Sequence, residues 1–179
     1  MTGVQTCALP ILIREIGPIL TALIFAGKIG SSMGAELGSM KVTEQIDAME
    51  VSGTNPFNYL VVTRVMATTL MLPLLVILSD YISLYGAYLG VNISGTTSFS
   101  LFFQKVSAAL VLTDVLPAFI KSFFFGFAVG IVGCYKGYHS SKGTEGVGKS
   151  ANSAVVVSSI LIFFIDLLAV QITNLLHLG

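Results

Sequence analysis

One string in the sequence has the spacing of a nucleotide-binding loop. In Gly143-Thr144-Glu145-Gly146-Val147-Gly148-Lys149-Ser150, four residues separate Gly143 from Gly148, and a Lys-Ser pair follows. In a working phosphate loop this pattern joins a buried strand to a helix, so that backbone N–H groups cradle the phosphates. The flanking residues supply no strand. Tyr135-Lys136-Gly137-Tyr138-His139 reads as the wet end of an apolar helix, and Ala154–Leu176 is another apolar run. Asp166 imitates the acid after a second strand but falls inside that run. The string, with Glu145, Gly146 and Lys149, is therefore expected to be a flexible basic turn, not a nucleotide site.

A second pattern lies at Val42–Val51. Val42, Ile46 and Met49 recur at helical spacing, while Glu44, Asp47 and Glu50 occupy the other sides, which describes a short amphipathic helix. Ser52-Gly53 and Asn55-Pro56 end it. Helices that lie on bilayers favour Lys and Arg on the polar face. This one carries three acids and a single lysine, so docking into another protein is the expectation.

The remaining reactive side chains sit inside apolar runs. Lys28, Glu36, Asp80, Lys121 and Asp166 interrupt such runs, and Arg14 and Glu15 stand at the mouth of the first. Charges inside a bilayer are costly, so each is a functional candidate by default. The alternative is an interhelical ion pair that only fixes packing, and for Lys121 and Asp166 both readings stand. Glu36 is close enough to the end of its run to be wet. Cys134 reads as an inert thiol, and His139 and His177 have no second ligand at metal-binding spacing.

The elements that must hold these residues follow from composition. Hydrophobic residues make up 54% of the 179, charged residues only 10%, and nine bases cancel nine acids. A chain with no net field has nothing to steer nucleic acid, and so few charges suit a bilayer rather than water. A span needs ~20 mostly apolar residues. Four runs qualify, at 16–40, 61–90, 115–135 and 154–176, with Pro73 offering a kink in the long second one. In the first, Ala22, Ala26, Gly30, Gly34 and Gly38 recur every four residues and leave one face bare for a neighbouring backbone. Ser122, Gly126, Gly130 and Cys134 repeat the pattern in the third, and Gly86 and Gly90 in the second. Lys41, Arg64, Lys136, Lys142 and Lys149 flank the first and third connections, whereas Lys105 alone marks the middle one. The positive-inside rule then places the first and third connections in the cytoplasm. Tyr81, Tyr85 and Tyr88 near one end, and Tyr135 and Tyr138 near the other, fit interfacial belts.

Residues Met1–Ile11, MTGVQTCALPI, resemble a translated sequencing adapter, so the native part is expected to begin at Leu12 and to be a C-terminal piece of a longer protein. From Arg14 to the C-terminus the residues resemble the MlaE/YrbE family, permease subunits of ABC transporters that work with MCE proteins. The likeness rests on Arg14-Glu15-Ile16-Gly17-Pro18, Ala26-Gly27-Lys28-Ile29-Gly30, Ala35-Glu36-Leu37-Gly38, Met40 and Thr43-Glu44-Gln45-Ile46-Asp47-Ala48-Met49. Glu145-Gly146-Val147-Gly148 and Ala154-Val155-Val156-Val157-Ser158 extend it. By this likeness the family's amino-terminal interfacial helix and first span are expected to be missing from this sequence.

The resemblance implies an all-α integral membrane protein with four of the family's spans and a coupling helix at 42–51. It implies a homodimer in the bacterial inner membrane, bound to cytoplasmic ABC ATPase subunits and a periplasmic MCE-domain protein, that moves phospholipid or related lipids. This chain would be no enzyme and bind no cofactor, since ATP and Mg²⁺ belong to the partner ATPase. Thr43, Glu44, Gln45, Ile46, Asp47, Met49 and Glu50 would couple to that ATPase, near which the Gly143–Lys149 turn would also lie. Arg14 and Glu15 would stand at the mouth of a lipid pocket at the dimer interface, with Ile16, Ile19 and Leu20 towards its interior. The rival readings are a proton-driven secondary transporter using Glu15, Asp80 or Asp166, a P-loop enzyme, and a plain membrane anchor.

Overall fold

The computed structural model describes residues 11–94, 98–109, 112–141 and 143–175. Residues 1–10 with Cys7, and Lys142 and His177, lie outside them. Among the described residues six helical elements follow one another: α1 (Ile13–Val42), α2 (Gln45–Val51), α3 (Phe57–Ile93), α4 (Phe99–Ala109), α5 (Leu112–Tyr138) and α6 (Thr144–Leu175). No strand occurs among the described residues. α1, α3, α5 and α6 each contain a segment long and apolar enough to cross a membrane, so the chain is an all-α, multi-pass membrane protein.

α1 is not uniform. It opens from one π-helical stretch, Leu12–Ile16, and contains a second, Ala26–Gly30. Pro18 explains the first, because it has no N–H to give the carbonyl four residues back. The second holds Gly27 and Gly30, whose lack of a side chain lets the backbone widen. α3 begins with a third such stretch, Phe57–Val62, and then runs as regular helix straight through the buried Pro73.

The four long helices alternate in direction, so Lys41, Arg64, Lys136 and Lys149 gather at one end of the bundle, the basic end, and Glu15 and Asp114 lie towards the other, the far end. α5 is central and touches α1, α3 and α6, while α1 packs on α6 and, through Gly17–Phe25, on α3. One apolar core lies in the far half, where Ala22, Phe25, Leu72, Phe125, Val129 and Ile162 meet. A second, of Met33, Leu37, Ile46, Leu60 and Cys134, lies at the basic end.

The small-residue faces hold these helices close, as the spacing predicts. All five members of the α1 set and all four of the α5 set are buried. A Cβ on Gly126 would come within 2.5 Å of the Thr68 carbonyl oxygen, and one on Gly130 would overlap the Thr68 side chain. On α5's other flank, a Cβ on Gly137 would lie 2.7 Å from the Leu37 Cβ. Gly86 and Gly90 behave differently: both are exposed, and an added Cβ would meet nothing within 4 Å.

Two expectations about connections change. The segment between the second and third spans contains helix α4, whose Phe102 and Val106 are buried while the Tyr88 ring meets Phe99 edge-to-face and Phe102 at a tilt, at 5.3 and 5.5 Å. The expected turn at Gly143–Lys149 is helical from Thr144 onward, with only Gly143 (φ +99°) in a conformation that favours glycine.

Candidate functional site

Lys121 organises the far end. Its ammonium donates to Glu15 Oε2 at 2.6 Å and to Asp166 Oδ1 at 2.9 Å, joining α1, α5 and α6 through one cation. The Arg14 Nε lies 3.6 Å from the other oxygen of Glu15. Two cations and two carboxylates therefore form a neutral chain, and Lys121 at its centre is only 5% exposed. A charge inside a span is costly unless it is paired, which explains why these four are brought together. Removing one partner of such a buried network costs about 3–5 kcal/mol, because the remaining charge is stranded. Arg14, Glu15, Lys121, Pro117, Val170 and Thr173 line a small cleft beside the pairs.

Below this network α1 turns an apolar stripe outwards. Ile16, Leu20 and Ile24 are 45, 54 and 73% exposed, meaning that they lie on the outside of the bundle. Ile19 is half-buried beside them. Of the residues expected to form a lipid pocket, the structure thus brings Arg14 and Glu15 to a polar cluster and sets Ile16 and Leu20 on one open helix face. Lys28 continues that face four residues beyond Ile24 and is exposed. Asp80 on α3 makes no salt bridge among the described residues, and its Oδ1 is buried without a hydrogen-bond partner. Glu15 and Asp166 are both committed to Lys121.

The basic end inverts this arrangement. α1 runs as helix to Val42, Thr43 caps it by donating to the Ser39 carbonyl at 2.9 Å, and Glu44 reverses the chain in a left-handed conformation (φ 58°). The amphipathic helix consequently starts at Gln45 rather than 42. Ile46 is fully buried, in the core with Leu37, Met33 and Leu60, and Met49 packs at its edge. Thr43, Glu44, Gln45, Asp47 and Glu50 face outwards, and Asp47 accepts from Lys41 at 2.7 Å. The apolar face of the helix is covered by this chain itself. What is left for another protein is the acidic face, rigidly attached to α1. Nearby, Arg64 donates to the mostly exposed Glu36 at 2.8 Å, so Glu36 is an ion-paired end residue.

The phosphate-loop string has no loop to offer. Residues 144–150 form the first turns of α6, Gly146 is pressed on the Ser141 carbonyl, and the Ser150 hydroxyl reaches the Gly34 carbonyl at 3.0 Å inside the bundle. Glu145 and Lys149 are exposed at the basic end and Gly146 is buried. The Ser150–Gly34 bond and the Glu36–Arg64 pair were not foreseen; Ser150 was read as part of the false motif and Arg64 only as an orientation signal. No group of three metal-ligating side chains occurs among the described residues.

Comparison with known proteins agrees with this architecture. The chain is 42% identical over 174 residues to a protein of Rickettsia typhi named "Probable ABC transporter permease protein", covering 95% of this chain and 66% of the relative. A Synechocystis protein with the same description is 41% identical over 152 residues, covering 85% and 58%. An Arabidopsis thaliana protein named Trigalactosyldiacylglycerol 1, chloroplastic, is 36% identical over 153 residues, covering 86% and 44%. The chain thus spans just under two thirds of the length of the rickettsial relative and less of the other two. These names describe transporter permeases or a lipid, and none describes an ATPase. Residues 4–172 match the profile of the family described as Permease MlaE, and the chain belongs to that family.

Proposed function

We propose that this chain is the membrane-spanning part of an ABC transporter that moves phospholipid or a related lipid, driven by ATP that a separate cytoplasmic ATPase subunit hydrolyses with its Mg²⁺. It acts as a homodimer in the bacterial inner membrane, exchanges lipid with a periplasmic MCE-domain carrier, and has its basic end in the cytoplasm. The observation that carries this reading is the inversion at α2: Ile46 is fully buried against Leu37 while Glu44, Asp47 and Glu50 point outwards. A surface pushed from outside at those acids moves α1 as a lever. At α1's far end stand the Arg14–Glu15–Lys121–Asp166 chain and the Ile16–Leu20 stripe, the pairing of a few polar groups with apolar lining that a lipid needs. The name of the Arabidopsis relative, a diacylglycerol lipid, supports the substrate class.

In this mechanism, closure of the ATPase pair shifts α2, α1 carries the displacement outwards, and the far-end pocket opens or collapses around acyl chains. The chain contributes no catalytic group. The test is the double substitution Asp47→Lys with Glu50→Lys in the full-length protein. It is expected to abolish stimulated ATPase activity and lipid transport while membrane insertion is intact. Unchanged transport, or transport that follows a proton gradient and ignores ATP, overturns the reading.

A further inference from the structure

Lys28 is handled in the opposite way to Lys121. It lies midway along the Ile13–Val42 helix, ~20 Å from either end at ~1.5 Å per residue. It is exposed, and among the described residues it makes no hydrogen bond or ion pair. A protonated amine at that depth does not face hydrocarbon; it requires an anion or a wet cavity. Its position says which face it serves. Ile16, Leu20, Ile24 and Lys28 follow at four-residue steps, so the amine ends the apolar stripe that starts beneath Arg14 and Glu15. Space is available there: Gly27 is exposed, a Cβ on it would meet nothing within 4 Å, and Ser32 beyond it is exposed too.

Among the described residues no acid supplies the missing anion. No acid lies between Glu15 and Glu36, so a second copy meeting the same stripe would bring isoleucine, leucine or another Lys28 to it, not a carboxylate. Asp80 has its Oδ1 turned into the bundle. We propose that Lys28 binds the phosphate of a glycerophospholipid, forming a second headgroup station ~20 Å inward of the Arg14–Glu15 mouth along the same face of α1. This rests on the lipid-transporter reading and adds that the headgroup enters the depth of the span instead of staying at the far end.

The test uses the full-length protein with its ATPase partner in nanodiscs holding phosphatidylglycerol with a photoactivatable diazirine, placed either on the headgroup or at an acyl terminus. Cross-linked peptides are then mapped by mass spectrometry. The headgroup probe is expected to label residues 24–32 in the native protein and in Lys28→Arg. In Lys28→Ala that labelling should fall about tenfold, the effect of one lost charge-assisted hydrogen bond. Acyl labelling at 16–20 should persist, and Lys28→Gln serves as a second variant if Lys28→Ala does not insert. Equal headgroup labelling in Lys28→Ala, or native labelling confined to residues 14–15, overturns the proposal while leaving the pocket standing. Absence of acyl labelling at 16–20 in the native protein overturns both.

Discussion

The two ends of the bundle are built inside out relative to each other. At the far end Lys121, Glu15 and Asp166 are drawn together between α1, α5 and α6 while Ile16, Leu20 and Ile24 face out. At the basic end Leu37, Ile46 and Leu60 are inside while Glu44, Asp47 and Glu50 face out. The same residue types are sorted by what lies outside: hydrocarbon forces charges to find partners within, and water lets them face outwards. Along α1 the change in treatment falls between Lys28, which is exposed and makes no ion pair among the described residues, and Glu36, which is exposed and paired with Arg64.

The comparison is broken most severely at Lys121. Lys121→Met leaves two carboxylates facing each other without their cation and is expected to cost about 3–5 kcal/mol, read as a large drop in thermal unfolding midpoint in detergent, with Lys121→Arg keeping most of it. At the other end, Ile46→Ala should cost about 2–5 kcal/mol by opening a cavity. Its effect should be local, seen as faster hydrogen exchange over Gln45–Val51; a loss spread evenly over the bundle would contradict the anchoring role. Gly137→Ala presses a methyl on Leu37 and should cost about 1–3 kcal/mol, whereas Gly86→Ala in open space should be neutral or gain up to about 1 kcal/mol from helix propensity. A small effect on stability belongs to Asp47→Lys with Glu50→Lys, within about 1 kcal/mol by the same unfolding measurement, since both acids are exposed and only the surface Lys41–Asp47 pair is lost. A large destabilisation there would mean that the acidic face is structural.

How much was legible in the sequence divides along physical lines. Spans were legible because a bilayer demands long apolar runs, and the Ala22–Gly38 and Ser122–Cys134 faces were legible because close helix approach demands small residues at a fixed period. The charges inside the spans stood out for the same reason. Their partnership did not: Lys121 and Glu15 are 106 residues apart, and only the fold puts α5 beside α1. Helix α4 was missed because its aromatic residues alternate with serine and glutamine in a run too short to span. The start of α6 was missed because Gly143–Gly148 reads as a breaker, although Gly146 is in fact required by the nearness of Ser141. For α2 the period was legible and the occupant of its apolar side was not, since periodicity says that a face is covered but not by what.

The widened turn at Ala26–Gly30 has a consequence for how α1 is phased. In a regular helix each residue advances the azimuth by ~100°, so five-residue hydrogen bonding in that stretch resets the angle between the outward stripe above it and the Gly34–Gly38 contact surface below. Deleting one residue there would leave every side chain in place by name and rotate the upper third of the rod by about a quarter turn.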